Sequence, residues 1–300
     1  MYCSFEEIRN AARDVSDAKV AIPMGHDTAS LKALISASRE GFASAVIVAP
    51  ESQVRKTLDE LGEELPPQIR LVDVDDPEEA ALKAVELVSR GDATILMKGL
   101  LQTSVFLKAV LDKEVGLRTG RILSHVAVVH VPHLERLVVI TDGGMNISPG
   151  EDELVQIIQN GAGVIEALGA DRARVALLAA KEVVTEKMPE TLLYDRIVKK
   201  GLSGMDVCGP IAVDGAIDPE AAAIKGMDGP VPGKANVLVT PNIACGNIFA
   251  KAFMYMTEAE VGGLIAGAAA PVVMLSRSDK SATKLNSLAL GVVVSGGRNG

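Results

Sequence analysis

Short runs of β-branched and aliphatic residues alternate with longer helical patterns along nearly the whole 300-residue chain. In the first third, helical patterns over residues 28–40 and 77–89 separate the strand-like runs, which are residues 19–22, 45–48, 70–74 and 94–97. Such alternation is typical of βαβ units, in which each helix carries the chain back so that the next strand lies parallel. The sequence therefore predicts an α/β protein with a mostly parallel sheet and helices on both faces.

Two strand-like runs near the middle of the chain break this pattern. Residues 126–131 and 137–141 are separated by only five residues. Because five residues are too few for a crossover helix, we expect these two strands to be antiparallel.

A helix is predicted directly after this pair. Ser148 can cap it, Pro149 suits the first helical position, and Glu151 completes a capping box, while Gly169 marks its end. Before a final helix from about Asp279, strand-like runs resume at residues 175–179, 237–240 and 272–275.

The high apolar content does not predict a membrane protein. Hydrophobic residues make up 48% of the chain and the mean hydropathy is +0.26. The longest strongly apolar uncharged run, residues 261–276, contains three glycines and Pro271 and is shorter than the roughly 20 residues that a spanning helix needs. The apolar excess therefore indicates buried parallel strands and the helices that cover them.

Charge and cysteine content exclude further classes. The 30 basic and 39 acidic residues give a formal charge of -9, and aromatic residues are 3% with no Trp, which argues against nucleic-acid binding. The three cysteines, Cys3, Cys208 and Cys245, are widely spaced without a CxxC pair, and the amino terminus lacks a long apolar stretch. We therefore expect a cytoplasmic protein with no disulfide framework and no metal site.

Polar side chains follow several predicted strands at their carboxyl ends, where open α/β sheets bind ligands. Small hydroxyl residues, glycines and a cation at helix starts are suited to an anion, because backbone N–H groups and the helix dipole favour negative charge there. The candidates, in chain order, are Lys98, Thr103, Asp142, Asn247, Ser276, Arg277 and Asp279.

Each of these residues also has a simpler interpretation. Ser276 beside Arg277 is equally typical of a helix cap next to a surface arginine, and Lys98 of a solvated turn. Ser124 and His125 precede a predicted strand, and a histidine there is more often a core residue than a catalyst. His130 and His133 have an HxxH spacing, which on a strand and turn is poor for binding a metal.

Six stretches taken together in order carry a resemblance to a known family: residues 97–103, 116–121 with 123–128, 140–149, 209–214, Pro241 with 246–247, and 267–268 with 270–271 before 276–279. They resemble the phosphate acetyl/butyryltransferase family, with its butyryl-transferring members closest. The similarity runs from about residue 19 to about residue 290, and residues 97–149 are its most specific part.

The resemblance implies two α/β lobes with a cleft between them, of the isocitrate/isopropylmalate dehydrogenase type. The first lobe would comprise residues 1–127 plus 268–300, and the second residues 128–267. It also implies a reversible reaction in which CoA thiolate attacks an acyl phosphate, with a short acyl group such as butyryl. CoA would be a substrate, no cofactor would be bound, and the protein would be a homodimer or a higher homo-oligomer.

Within this family pattern, Arg277 matches the motif arginine and would grip phosphate oxygens, with Ser276 bonding the acyl phosphate. Further candidates for that side of the site are Thr103, Ser124, Lys98, Asp142 and Asn247. Acetyl-specific members have a proposed aspartate base seven residues after the motif serine, where this chain has Thr283. The base is therefore open among Asp279, His125 and Asp142.

Three other functions remain as alternatives. The chain could be a phosphate acetyltransferase, since the resemblance covers both acyl lengths. A non-catalytic regulatory protein of the same fold would bind acyl-CoA without turnover. A metal- and nicotinamide-dependent dehydrogenase of this fold would need a cluster of aspartates for Mg²⁺, which the sequence does not suggest.

Overall fold

The computed structural model describes residues 1–276 and 279–296, which contain eleven strands and eleven helices. The strands are β1 (Lys19–Pro23), β2 (Ser44–Ala49), β3 (Ile69–Asp73), β4 (Ile95–Met97), β5 (Ser124–His130), β6 (Leu137–Thr141), β7 (Ala173–Leu178), β8 (Met205–Ile211), β9 (Val237–Val239), β10 (Glu260–Ala266) and β11 (Val272–Val273). The helices are α1 (Phe5–Ala12), α2 (Thr28–Arg39), α3 (Glu51–Leu61), α4 (Pro77–Ser89), α5 (Thr103–Val110), α6 (Glu151–Ala167), α7 (Pro189–Lys200), α8 (Val213–Ile217), α9 (Pro219–Ile224), α10 (Ile243–Met256) and α11 (Ser281–Gly296).

The chain divides into two compact units. Unit 1 comprises Met1–Ser4 and Ile122–Val261, and unit 2 comprises Phe5–Arg121 and Gly262–Gly300. The domain boundaries expected from the sequence, after residues 127 and 267, stay a prediction.

Unit 2 contains a parallel sheet in the order β3-β2-β1-β4-β11. The last of these strands also pairs antiparallel with β10, through Ile265 and Val272. The strands are short and aliphatic, and helices connect β1 to β2, β2 to β3 and β3 to β4. This arrangement confirms the predicted α/β class with a mostly parallel sheet.

Unit 1 contains the strand order β5-β6-β9-β7-β8. The pair β5 and β6 is antiparallel, with Val126 opposite Thr141 and His130 opposite Leu137, which confirms the expectation from the five-residue connection. The other pairs are parallel. An apolar core under α10 packs aliphatic side chains of these strands against Phe249 and Phe253.

Two predicted helix starts were wrong by two residues. Helix α6 begins at Glu151 with Gly150 as its N-cap, because the Glu153 carboxylate accepts the Gly150 N–H at 2.9 Å. The last helix begins at Ser281, and before it the Asp279 carboxylate accepts the Ser276 N–H at 2.7 Å. Of the helices in the described ranges, none has the length and apolar content needed to cross a bilayer.

Candidate active site

The carboxyl edge of the unit 1 sheet brings together four residues predicted from the sequence. Strands β6 and β9 are parallel neighbours, so the segments that follow them, with Asp142 and Asn247, start at the same edge. Strand β5 runs antiparallel to β6, so Ser124 and His125 at its beginning lie at that edge too. The four residues therefore lie at one edge of the unit 1 sheet, and their roles in a site stay a prediction.

Asp142 is buried, with 3% of its surface exposed, and its carboxylate is surrounded by donors. Oδ1 accepts the backbone N–H groups of His125, Gly144 and Met145 at 3.1, 2.8 and 3.0 Å. Oδ2 accepts the backbone N–H and the side-chain amide of Asn146 at 3.0 and 2.6 Å. Five hydrogen bonds occupy the lone pairs of this carboxylate, so it orders the loop after β6.

His125 is held by this loop through its backbone. Its N–H donates to Asp142, and its carbonyl accepts the Thr141 hydroxyl at 2.9 Å. Its side chain packs closely on Gly144, since a Cβ added there would lie 3.0 Å from Cβ and 3.1 Å from Cγ of His125. Any larger residue at position 144 would therefore displace the imidazole.

Asn247 connects the loops after β6 and β9. Its side-chain amide donates to the carbonyl of Gly143 at 3.0 Å. The backbones also meet directly, because a Cβ on Gly246 would lie only 2.3 Å from the carbonyl oxygen of Asp142. The Asn242 side chain caps α10 by accepting the Cys245 N–H. These contacts join the loops after β6 and β9 to each other.

Ser124 lies within the interior of unit 1. It is fully buried, and its hydroxyl accepts the side-chain amide of Asn160 on α6 at 2.8 Å. The same amide donates to the carbonyl of Ile122. Ser124 thus fastens the start of β5 to α6, and its predicted contact with phosphate stays a prediction.

The carboxyl edge of the unit 2 sheet carries a second group. Strands β1, β4 and β11 are parallel neighbours, so Lys98, Thr103, Ser276 and Asp279 follow strands that end at one edge. The Lys98 N–H donates to the Val273 carbonyl at 2.8 Å. Gly99 lies against the loop after β1, where a Cβ would meet the Pro23 carbonyl at 2.3 Å.

The start of helix α5 is suited to an anion. Thr103 is its first residue and is exposed, and in the described chain the preceding N-cap, Gln102, makes no side-chain cap hydrogen bond. The first N–H groups of the helix therefore favour a negative ligand. Lys98 is 7% exposed, and its ammonium lies 3.5 Å from the Gly99 carbonyl.

Ser276 and Asp279 are hydrogen-bonded to each other after β11. The Ser276 N–H donates to the Asp279 carboxylate at 2.7 Å, and the Asp279 N–H donates to the Ser276 carbonyl at 3.1 Å. Ser276 is exposed, whereas Asp279 is 8% exposed. Asp279 thus acts as a cap for the segment that contains the serine. Arg277, the predicted phosphate ligand, lies outside the described residues.

Further polar groups at the carboxyl edge of unit 1 were not predicted. The Lys225 ammonium bridges Glu182 and Asp214 at 2.7 and 2.8 Å, linking the segments after β7 and β8. Its hydrogen bonds are the largest cause that lowers the pKa of both carboxyls. Tyr194 is fully buried and donates to the Leu178 carbonyl at 3.2 Å, and burial raises the pKa of its hydroxyl. Sequence spacing gives no signal for either contact.

The two histidines with the HxxH spacing lie in different environments. His130 lies 3.4 Å from the carboxylate of Glu260, and His133 is exposed in the turn between β5 and β6. Across residues 1–276 and 279–296, no three His, Cys, Asp or Glu side chains form a group that could hold a metal ion.

Comparisons with known proteins add to this geometry. Residues 75–292 match the family model described as Phosphate acetyl/butaryl transferase. The chain is 39% identical to phosphate butyryltransferase from Clostridium acetobutylicum, over 99% of this chain and 100% of the relative. It is 37% identical to phosphate acetyltransferase from Thermotoga maritima, over 92% and 94%. A branched-chain phosphotransacylase from Enterococcus faecalis has a similar structure, with a TM-score of 0.83, 33% identity and coverage of 93% and 99%.

Proposed function

The chain belongs to the phosphate acetyl/butyryltransferase family, and on that premise we propose that it prefers a short acyl group such as butyryl. Membership confirms the resemblance found in the sequence. The enzyme transfers an acyl group reversibly between CoA and inorganic phosphate. The observation that carries the proposal is full-length similarity to a phosphate butyryltransferase.

The chemistry is direct transfer. The CoA sulfur attacks the carbonyl carbon of the acyl phosphate, a C–S bond forms, and the C–O bond to phosphate breaks. The thiol proton passes to a base, and inorganic phosphate leaves with the bonding electrons. A free thiol has a pKa near 8.5, so a base assists its ionisation near neutral pH.

We assign the base to His125. The two competing carboxylates are engaged in hydrogen bonds: Asp142 accepts four backbone N–H groups and the Asn146 side-chain amide, and Asp279 accepts the Ser276 N–H. An imidazole is the side chain best suited to accept a proton near neutral pH. The Gly144 backbone and the Asp142 carboxylate support its position.

The phosphate belongs, in this proposal, to the unit 2 group. Thr103 presents a hydroxyl at an open helix start, Lys98 supplies a cation, and Ser276 supplies a second hydroxyl. Arg277 adds a guanidinium that binds two phosphate oxygens at once. CoA enters as a substrate, and the transfer needs no bound metal or nicotinamide.

The reaction is tested with purified protein, CoA and a panel of butyryl, branched-chain and acetyl phosphates, following thioester formation and phosphate release. We expect the highest kcat/KM with butyryl phosphate and no loss of rate in EDTA. Higher kcat/KM with acetyl phosphate would make the enzyme an acetyltransferase. Binding of acyl-CoA without turnover of any acyl phosphate would instead indicate a regulatory protein.

Two substitutions test the assigned roles. His125→Gln should lower kcat by about 10²–10⁴-fold with little change in the KM for acyl phosphate, whereas His133→Gln on the exposed turn should change neither. Arg277→Ala should raise the KM for phosphate with little change in the thermal midpoint. Unchanged kinetics in His125→Gln would remove the base from this residue.

We also propose that the protein is cytoplasmic, where CoA and acyl phosphates are available, and that it forms a homodimer or a higher homo-oligomer. Helix α10 supports the latter, since Ile248, Tyr255 and Met256 are 70%, 60% and 82% exposed. Exposed apolar side chains on one helix are typical of an interface. Light scattering should give a multiple of 31.3 kDa for the wild type and a smaller mass for Ile248→Glu. A monomeric wild type would contradict this proposal.

A further inference from the structure

A lysine in unit 2 is buried outside the groups described above. Lys284 lies at the end of the first turn of α11 and is 5% exposed. Its ammonium contacts the Asp27 carboxylate at 3.0 Å and the Ser30 hydroxyl at 2.9 Å. Both partners belong to the start of α2, 257 and 254 residues away in the chain.

The Asp27 carboxylate contacts both α2 and α11. It is the N-cap of α2, where its Oδ1 accepts the Ser30 N–H at 3.0 Å, and the same oxygen contacts Lys284. Burial raises the pKa of Asp27, but hydrogen bonds from Ser30 and the charge of Lys284 outweigh burial, so that the pKa lies below its ordinary value. The carboxylate is therefore ionised near neutral pH and holds the lysine.

A buried lysine contact has two free-energy costs as a means of holding a helix in place. A buried ammonium loses its hydration, and a cation near a helix start opposes the helix dipole. An apolar side chain of similar length would pack α11 on α2 without either cost. The contact instead fixes one point, the start of α11, relative to the loop after β1.

The start of α11 is where this fixation matters. Only four residues separate Ser276 from the first residue of the helix, and Asp279 in that stretch caps Ser276. A shift of α11 would therefore move Asp279 and, through their hydrogen bond, Ser276, which precedes Arg277 in the sequence.

We propose that Lys284 is a positioning residue for phosphate, which acts by tying the start of α11 to Asp27 and Ser30 so that Asp279, and the Ser276 that it caps, are held in place. The inference rests on the proposed assignment of phosphate to the unit 2 group. Lys284 acts through Asp279 and Ser276 and makes no contact with substrate.

A second anchor of α11 provides the matched control. Arg9 on α1 donates to the side chain of the buried Asn286 at 2.7 Å. Arg9→Met removes this polar contact between α11 and α1. It also removes the 3.8 Å contact of Arg9 with Glu40 at the C-terminal end of α2, the opposite end of that helix from Asp27. A merely structural role for Lys284 would give the two substitutions the same functional effect.

The experiment compares the wild type with Lys284→Met, the double variant Asp27→Asn with Lys284→Met, and Arg9→Met. For each protein we measure the thermal midpoint, the KM for phosphate and for acyl-CoA, and the affinity for inorganic phosphate by calorimetry. The double variant leaves neither charge of the Asp27–Lys284 contact, so it should fold even where Lys284→Met is unstable.

We expect the KM and the dissociation constant for phosphate to rise at least about tenfold in both Lys284 variants, because a misplacement of about 1 Å can cost up to about 100-fold. The KM for acyl-CoA should stay within about twofold of the wild type. The double variant should recover the thermal midpoint but not phosphate binding, and Arg9→Met should lose only stability.

Phosphate affinity in the double variant within about twofold of the wild type would overturn the proposal, as would an equal loss in Arg9→Met. Calorimetry separates the two levels of inference. An inactive wild type that binds phosphate would refute the proposed reaction while leaving the role of Lys284 to be decided by the phosphate affinities. A wild type that binds no phosphate would overturn both.

Discussion

The Asp142 carboxylate accepts the backbone N–H of His125 at 3.1 Å, joining the segment after β6 to the second residue of β5. The two residues lie just beyond the ladder of the antiparallel pair, whose last partners are Val126 and Thr141. A side chain thus continues the pairing where backbone pairing stops. The loop after β6 and the start of β5 are therefore held together at this edge of the unit 1 sheet.

Replacing Asp142 should displace His125, although the His125 side chain itself is unchanged. In Asp142→Asn, one carboxylate oxygen becomes an NH₂ group that faces donors, so buried N–H groups lose their acceptor. Each unsatisfied group costs about 1–3 kcal/mol, so we expect a clear fall in the free energy of unfolding and in kcat. Urea unfolding and steady-state kinetics measure both. Asp171→Asn is the control, since that side chain is 77% exposed, and equal behaviour of the two variants would contradict the role given to Asp142.

A glycine pair provides a second prediction. A Cβ on Gly246 would lie 2.3 Å from the Asp142 carbonyl oxygen, whereas one on Gly163 in α6 would meet nothing within 4 Å. Gly246→Ala should therefore separate the loops after β6 and β9 and reduce both stability and kcat. Gly163→Ala should be neutral or stabilise by up to about 1 kcal/mol, since alanine favours a helix interior. Thermal midpoints of the two variants compare them, and a stable, active Gly246→Ala enzyme would refute the close contact.

The sequence was sufficient where local spacing determines structure. Five residues between two strand patterns exclude a crossover helix, and β5 and β6 are indeed antiparallel. The position of polar residues after strands likewise located Lys98, Asp142 and Asn247 at sheet edges. Both inferences depend only on chain length and strand direction.

Strand β10 was missed because its glycines conceal it. Gly262 and Gly263 are poor strand formers. Glycine is needed at position 262 because of a contact with a residue far away in the sequence. A Cβ on Gly262 would lie 2.8 Å from the ring of Phe5 on α1. The glycine at position 262 therefore follows from tertiary packing, and no local sequence pattern could reveal the strand.

The chemical state of the site depended on contacts that spacing does not encode. The sequence marks Asp142 as a polar residue after a strand, but only the loop conformation directs four backbone N–H groups at it. Ser124 is likewise a hydroxyl next to a strand until Asn160, 36 residues away, takes up its oxygen. Candidate residues were predictable, whereas their hydrogen-bond partners were not.

Thr103 and Ser124, both predicted phosphate ligands, should behave differently. Thr103 is exposed at the start of α5, and Ser124 is fully buried against Asn160. Thr103→Val should raise the KM for phosphate severalfold with an unchanged thermal midpoint. Ser124→Ala should lower stability by about 1 kcal/mol, the usual value of one hydrogen bond, and leave that KM unchanged. Phosphate kinetics and thermal unfolding of both variants decide between the roles, and the reverse pattern would return the phosphate contact to Ser124.

The Asp27–Lys284 pair should make stability depend on pH in a defined direction. The folded state lowers the pKa of Asp27 below its ordinary value of 3.8, so the folded protein releases this proton more readily than the unfolded chain. The stabilisation is therefore complete above about pH 5 and is lost as the pH falls through the folded-state pKa.

Asp27→Asn removes this stabilisation at every pH. We expect it to be less stable than the wild type by about 1.5–3 kcal/mol at pH 7, the range for hydrogen bonds to charged groups. The difference should shrink once the pH falls below 3.8, because protonation of Asp27 then gives the wild type a neutral side chain as well. Urea unfolding of both proteins from pH 7 to pH 3 measures the difference, with Asp171→Asn as an exposed control. A difference that stays constant or grows toward acid would mean that Asp27 is not held ionised by Lys284.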